Sequence, residues 1–502
     1  MMFYPNLIKG KLKYKNFNFA PFNKHINSKL DEKTLPFGSC SNLYNFNTSS
    51  GALIDGVGID DITLIWDSFY DLEYKTLDLP LTFYIAGCYF FKYWESQHDR
   101  YLYFIIIYGA NKKLYYNIIN GVNTEWHEIK NINFTAKPIA LYSKVNGVDS
   151  IIFYSKEDGM YVWNYHISQA YKVENSPLIT SMCIHDNRMF ATIDGEARSI
   201  IFSEELNPIN FNVSTNEGGY IDMGDDFGKC NKVISFDGDL YVFRDYHIAK
   251  VTESKDRNEF VVNQIYAGNG KIYPNSVSIC GNKIMFLASD GIYEFDGTKA
   301  KKIDLEFDNM IVGVDNHFAI AQYISGYYYL ACVMDFNDDY VFACETFANG
   351  GNNALLKINV NDNSCEVHRG CDIREFTPIN DGVNDSMIVT YAFDLPSTSI
   401  GILKDNGCVK RLDLRKKWKS AMFDFDIPNK NKFVKEISFI SKSNIILNIC
   451  LDDKVKSYNI KGKDDCQTIK INEKARRVGV EFISNFNNNY ISIPQLKVGF
   501  YE

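Results

Sequence analysis

Apolar runs along this chain alternate with short polar turns at strand spacing, and the most regular of them come in pairs. In residues 151–163, IIFYSKEDGMYVW, and 284–295, IMFLASDGIYEF, Asp-Gly falls four or five residues after a Phe, and an aromatic-rich run follows it. Asp-Gly supplies the positive backbone dihedrals of a tight turn, so Asp158-Gly159 and Asp290-Gly291 predict antiparallel hairpins. Asp296-Gly297 predicts a further turn. Looser relatives occur at 101–118, 188–203, 239–251, 326–334 and 387–403.

Taking Tyr103, Phe153, Phe190, Tyr241, Phe286, Tyr329 and Tyr391 as equivalent gives steps of 37 to 62 residues. Most lie near the roughly 40–50 residues of one four-stranded propeller blade. The pattern predicts an all-β fold with a β-propeller of six or seven blades over residues 61–415. An array of β-sandwiches is the structural rival, because hairpins with polar turns satisfy it equally well.

The flanks differ in texture. Residues 1–60 are polar and aromatic without period, then rich in Ser, Asn and Gly, and read as an extended arm that docks on its own body or reaches a neighbouring subunit. After residue 414 the run Arg415, Lys416, Lys417 and Lys419 reads as a solvated linker. Beyond it, about six short apolar segments between Phe433 and Tyr501 predict a C-terminal β-sandwich over residues 416–502. No dozen-residue segment keeps helical apolar spacing without interruption by Gly or Asn.

Composition sharpens this reading. Aromatics make up 15% of the chain, against only 12 Pro, which suits pleated, half-buried surfaces. The net charge is -9 with Lys and Arg scattered, so a phosphate-binding face is not indicated. The N-terminus shows no signal peptide, and YLYFIIIY at 101–108 is too short for a membrane helix and reads as a buried strand. Twelve cysteines are spread singly, without zinc-site spacing, and read as reduced core residues; Cys365 and Cys371 are the closest pair.

Little chemistry emerges from the motifs. The eight histidines lack metalloprotease spacing, and Gly268-Asn-Gly270-Lys271 is a turn, not a phosphate loop. Asp225, Asp226, Asp335, Asp338 and Asp339 are loop carboxylates of the kind that bind calcium, but none follows a calcium-loop pattern. Glycoside hydrolysis needs only two spaced carboxylates, yet the repeated turns of sialidase-like propellers are missing.

Residues 186–211, DNRMFATIDGEARSIIFSEELNPINF, with YIDMG at 220–224 and VISFDGDLYVFRDYHIAKV at 233–251, resemble the central propeller of tailed-bacteriophage structural proteins. The matching pieces are Ser203, Asn207-Pro208 and the LYVF run of 240–243. Residues 274–297, with FLASDGIYEFDG, look like the same family's blade and are the most specific match. The resemblance implies a non-enzymatic virion component of the neck or tail: a tail nozzle, tail hub or packaged-DNA stabilisation subunit, made in the host cytoplasm. Its partners would be other copies of itself in a ring, portal, head-to-tail adaptor or tail-fibre proteins, and DNA passing without specific binding. It transfers no catalytic residue, cofactor or metal ligand. Asp158, Gly159, Asp290, Gly291, Asp296 and Gly297 would be structural turns. The alternative is a module that binds a host-surface glycan or protein, with Trp94, Trp126, Trp163 or Trp418 as sugar-stacking candidates; a glycoside hydrolase ranks below it.

Overall fold

The structure, a computed structural model, describes residues 12–22, 26–31, 33–60, 63–68, 71–76, 85–120, 125–167, 169–214, 217–253, 259–346, 351–380, 385–393, 398–405 and 415–501. Side chains of 63–68 and 71–76 are outside that description.

Among the described residues, seven four-stranded antiparallel sheets follow one another along the chain. Their second strands are Arg100–Gly109, Val148–Ser155, Arg188–Ile193, Asp239–Arg244, Lys283–Ala288, Tyr327–Cys332 and Asp385–Ala392. Each of the seven aromatics picked out by spacing lies on one of these strands. The reason is burial on both faces: Ile105, Ile152, Phe190, Val242, Phe286, Leu330 and Val389 are all buried between neighbouring sheets, so these strands read as near-continuous apolar runs.

The first strands, among them Ile85–Glu95, Ile179–His185, Cys230–Phe236, Ile320–Ile324 and Asp372–Asn380, adjoin their successors around a common axis. The last sheet packs back on the first. Ile379, Ile388, Ile400 and Ile402 share a cluster with Ile85, Cys88, Ile105 and Ile107, and the Thr377 hydroxyl donates to the Cys88 carbonyl at 2.7 Å. The fold is therefore a closed seven-bladed β-propeller with a β-sandwich.

The outer strand of blade 7 comes from the other end of the chain. Gly58–Asp60 pairs with Ser399–Lys404, placing Ile59 opposite Leu403. A hairpin of Thr63–Ser68 and Asp71–Thr76 forms a two-stranded sheet, pairing with no other strand among the described residues, and lies between that strand and blade 1 in the sequence.

The sandwich also draws on both ends. One sheet orders Phe46–Asn47, Leu53–Asp55, Tyr490–Tyr501, Lys432–Ser441 and Lys463–Ala475, with Leu12–Asn18 also on Tyr490–Tyr501. The facing sheet orders Cys40–Tyr44, Lys416–Ser420, Val478–Ser484, Ile445–Leu451 and Lys454–Ile460. Val434, Phe439, Leu447, Val480, Phe482 and Leu496 are fully buried between them.

Residues 1–60, expected as an extended arm, thus supply strands to both bodies over their described part. Extended backbone needs partners for its amides and carbonyls, and Leu12–Asn18 finds them from Leu12 opposite Tyr501 to Asn18 opposite Gln495. Phe19 and Phe22 then enter the sandwich core, where Phe22 meets Trp418 edge-on at 4.8 Å. The sandwich core runs without a break into blades 5 and 6 through Tyr44, Phe336 and Phe342.

Candidate binding site at the propeller–sandwich junction

The basic run is not a solvated linker. Lys416–Ser420 is an inner strand of a sandwich sheet, paired on one side with Cys40–Tyr44 and on the other with Val478–Ser484, and Lys416 and Lys417 are buried. A buried ammonium requires compensation. Lys417 Nζ lies 3.2 Å from Asp338 Oδ1 and 3.0 Å from Glu481 Oε1, and Glu481 also accepts from Asn448 Nδ2 at 2.5 Å. Lys416 Nζ donates to the Phe486 carbonyl at 2.8 Å and lies 3.6 Å from Asp55 Oδ1.

Asp338, on the long connection between the second and third strands of blade 6, is the hub. Its Oδ2 accepts from the Tyr44 hydroxyl at 3.0 Å and from Arg369 Nη1 at 3.3 Å. Arg369 makes a bidentate pair with Glu345, at 2.6 and 2.9 Å, the fork geometry that makes such contacts directional. Its guanidinium stacks 4.4 Å from the Phe336 ring centroid. Asn45 ties backbone to backbone, donating to the carbonyls of Arg369 and Arg415, each at 2.8 Å.

The electrostatics follow. Burial pushes the Asp338 carboxyl up, but the Lys417 ammonium, the Tyr340 amide and the Tyr44 hydroxyl more than offset it, leaving the group below the usual aspartate range. Burial and the adjacent Asp338 push the Tyr44 phenol up. Polar groups of the N-terminal segment, blade 6 and the sandwich thus meet at Asp338, through the Tyr44 hydroxyl, Arg369 and Lys417.

Beside the network opens a cleft of about 580 Å³. The N-terminal segment contributes Asn27, Ser28, Leu30, Ser41 and Asn42; the propeller contributes Asn309, Met310 and residues 335–339; the sandwich contributes Lys417 and Lys419. Asn42 Oδ1 is buried and accepts no hydrogen bond among the described residues.

No family model matches the chain, and no curated protein matches it. Solved structures do. The chain is similar to YCF48 from Cyanidioschyzon merolae, at 11% identity over 60% of this chain and 95% of that one, with a TM-score of 0.35. It is similar to BamB from Moraxella catarrhalis, at 10% identity over 60% and 79%, with a TM-score of 0.35. It is also similar to BBS1N in complex with ARL6DN, at 9% identity over 70% and 99%, with a TM-score of 0.42. The propeller assignment rests on the closed ring of sheets itself.

Asp158 and Asp290 end the turns between the second and third strands of blades 2 and 5, whose third strands open on Gly159 and Gly291, and Asp296-Gly297 lies between the third and fourth strands of blade 5. Gly159 and Gly291 have φ of +86° and +140°, values that L side chains rarely adopt. Asp158 Oδ2 accepts from the Thr135 amide at 2.8 Å and the Ser155 hydroxyl at 2.7 Å, fastening its turn to the loop that enters the blade. Asp296 accepts from the Thr298 hydroxyl and the Thr298 and Lys299 amides, which hold its carboxyl down at about 2.

The other candidates disperse. Among the five acids weighed for calcium, Asp335, Asp338 and Asp339 meet at the cleft, while Asp225 and Asp226 pair with Arg244 and Arg198. Among the described residues no group of three or more His, Cys, Asp or Glu is placed to hold a metal. Trp163 and Trp418 are buried and Trp126 half-buried. Trp94 is 39% exposed, packed edge-on against Tyr101 at 4.8 Å. The hub residues Tyr44, Arg369, Glu345 and Glu481 carry no motif; only Asp338 and Lys417 stood out in the sequence, and for other reasons.

Proposed function

We propose that this chain is a non-enzymatic scaffold subunit of a tailed-bacteriophage particle, at the neck or tail, with copies arranged as a ring around the DNA channel. The observation that carries the scaffold reading is the double use of the N-terminal segment. Leu53–Asp55 is a sandwich strand and Gly58–Asp60 a propeller strand, so a turn of two residues joins the two bodies next to the buried ion network. Such a body transmits position between neighbours instead of flexing.

The particle assignment is supported by the resemblance of residues 186–211, 220–224, 233–251 and 274–297, which lie in blades 3 to 5. Heterologous contacts between copies close into rings, and a net charge of -9 keeps passing DNA from adhering. Portal, adaptor or tail-fibre proteins are the expected neighbours. The test is mass spectrometry and immunogold microscopy of purified particles with antibody to this chain. Label at the head-to-tail junction or tail tip supports the reading; washed particles without the chain overturn it.

A further inference from the structure

The net charge of -9 conceals an asymmetry. Residues 61–415 hold 48 Asp and Glu against 30 Lys and Arg, whereas the two ends, 1–60 and 416–502, hold 23 Lys and Arg against 14 Asp and Glu. We propose that the basic outer face of the sandwich is a docking surface for the acidic blade 3 of a second copy of this chain.

Register builds the basic face. Tyr14 lies opposite Gly499, Gly499 opposite Phe433 and Phe433 opposite Lys474, so one row crosses four strands. A Cβ at position 499 would stand 2.9 Å from the Tyr14 ring, so glycine makes room for that ring on the sheet. Lys435 and Lys497 hold their ammonium groups 5.0 and 6.0 Å from its centroid, and Lys474 lies 5.4 Å from that of Tyr501. Tyr14 and Tyr501 are 41% and 40% exposed. Lys470, opposite Glu436, extends the face. Glu436 offsets Lys497 at 3.2 Å, but among the described residues Lys435, Lys470 and Lys474 pair with no carboxylate.

Blade 3 is the complement. Between Ile179 and Asp222 it carries seven Asp and Glu and two Arg. Arg188 is buried, donating to the carbonyls of Ser203 and Glu217, and Arg198 pairs with Asp226 of the following loop; Asp194 is met by Lys156 of blade 2. Glu196 and Asp222 are exposed. Tyr220, on the outermost strand, and Leu206 are 58% and 71% exposed, which gives the acidic blade apolar area to bury.

The ring order separates the two faces. The sandwich core is continuous with blades 5 and 6, and blade 3 is parted from them by blade 4 on one side and by blades 2, 1 and 7 on the other. The faces therefore stand apart in one copy and meet only between copies, as a heterologous contact that repeats around a ring. The second copy is favoured over a nucleic acid because the complementary surface is present on the molecule itself.

The inference deepens the ring reading and rests on it, yet the two fail separately: self-association is read on the isolated full chain, and particle membership by the labelling above. Sedimentation velocity should show concentration-dependent association at about 0.02 M salt that weakens by about 0.5 M. Lys435→Glu with Lys474→Glu, and separately Glu196→Lys with Asp222→Lys, should each weaken association at least about tenfold with unchanged melting temperatures. Mixing the two double variants should restore it, since each reversed face then meets its opposite. A wild type that stays monomeric at low salt, variants that associate as the wild type does, a mixture no better than its parts, or a monomer whose sandwich lysines instead retain single-stranded DNA would overturn the proposal.

Discussion

Lys417 Nζ stands 3.2 Å from Asp338 Oδ1, and this contact joins the sandwich to blade 6. Both side chains are at most one-tenth exposed, as is nearly true of Glu481 on the far side of the ammonium. Removing the cation alone leaves two buried carboxylates facing each other. Lys417→Met should therefore cost about 3 kcal/mol of stability in urea denaturation, the scale of breaking a buried pair from one side. Adding Asp338→Asn to Lys417→Met should recover part of the loss, and strictly additive losses would show that the two residues are not coupled.

The same hub sets an acid limit. The Asp338 carboxyl is depressed in the folded chain, so its contribution is present above the unfolded aspartate value of about 3.9 and is lost as pH falls through the folded one. Acid unfolding followed by circular dichroism should show a wild-type decline below about pH 4 that is shallower in Asp338→Asn.

Lys232 adds a slope of the same sign at high pH. Its Nζ donates to the Val277 carbonyl of the next blade at 2.9 Å. The side chain touches some solvent, but the protein packed around it lowers the ammonium to about 8. Between there and the unfolded value of about 10.4, the unfolded chain holds the extra proton, so this group makes stability rise with pH. Subtracting the Lys232→Met profile from the wild-type profile over that window should isolate a positive slope; a flat difference would show an ammonium titrating normally.

Blade 7 depends on Gly401. A Cβ there would stand 2.4 Å from Ile59 Cγ2 and 2.8 Å from the Asp60 carbonyl. Gly401→Val should displace the outer strand and cost about 1–3 kcal/mol. Hydrogen exchange at residues 58–60 and 399–404 should accelerate in the variant, while exchange in blade 4 stays as in the wild type.

Among the eleven described cysteines, all free, Cys466 is exposed while burial pushes the Cys40, Cys88 and Cys332 thiols up to about 12. Brief iodoacetamide treatment of the native protein followed by peptide mapping should modify Cys466 and spare those three. Cys408 lies outside the described residues.

Spacing alone found the second strand of every blade, because Phe153, Phe190, Phe286 and their equivalents sit where both faces of a sheet are covered. It found the Asp-Gly turns because positive φ selects glycine locally. The junction was harder to read. Lys416 and Lys417 in isolation look like solvent-exposed charges, and what buries them is a set of partners at positions 55, 338 and 481. Trp94 and Trp418 likewise look equivalent in sequence, and only packing exposes one and encloses the other.

The amino-acid sequence by itself determined the strands, the turns and the blade repeat, since these follow from side-chain period and backbone preference over a few residues. Tertiary structure decided the remainder: seven blades and not six, closure by Gly58–Asp60, the capture of Leu12–Asn18 by Tyr490–Tyr501, and the cleft at the propeller–sandwich junction. An alternating strand records that one face will be buried but not against what, and here the answering strands lie more than 300 residues away.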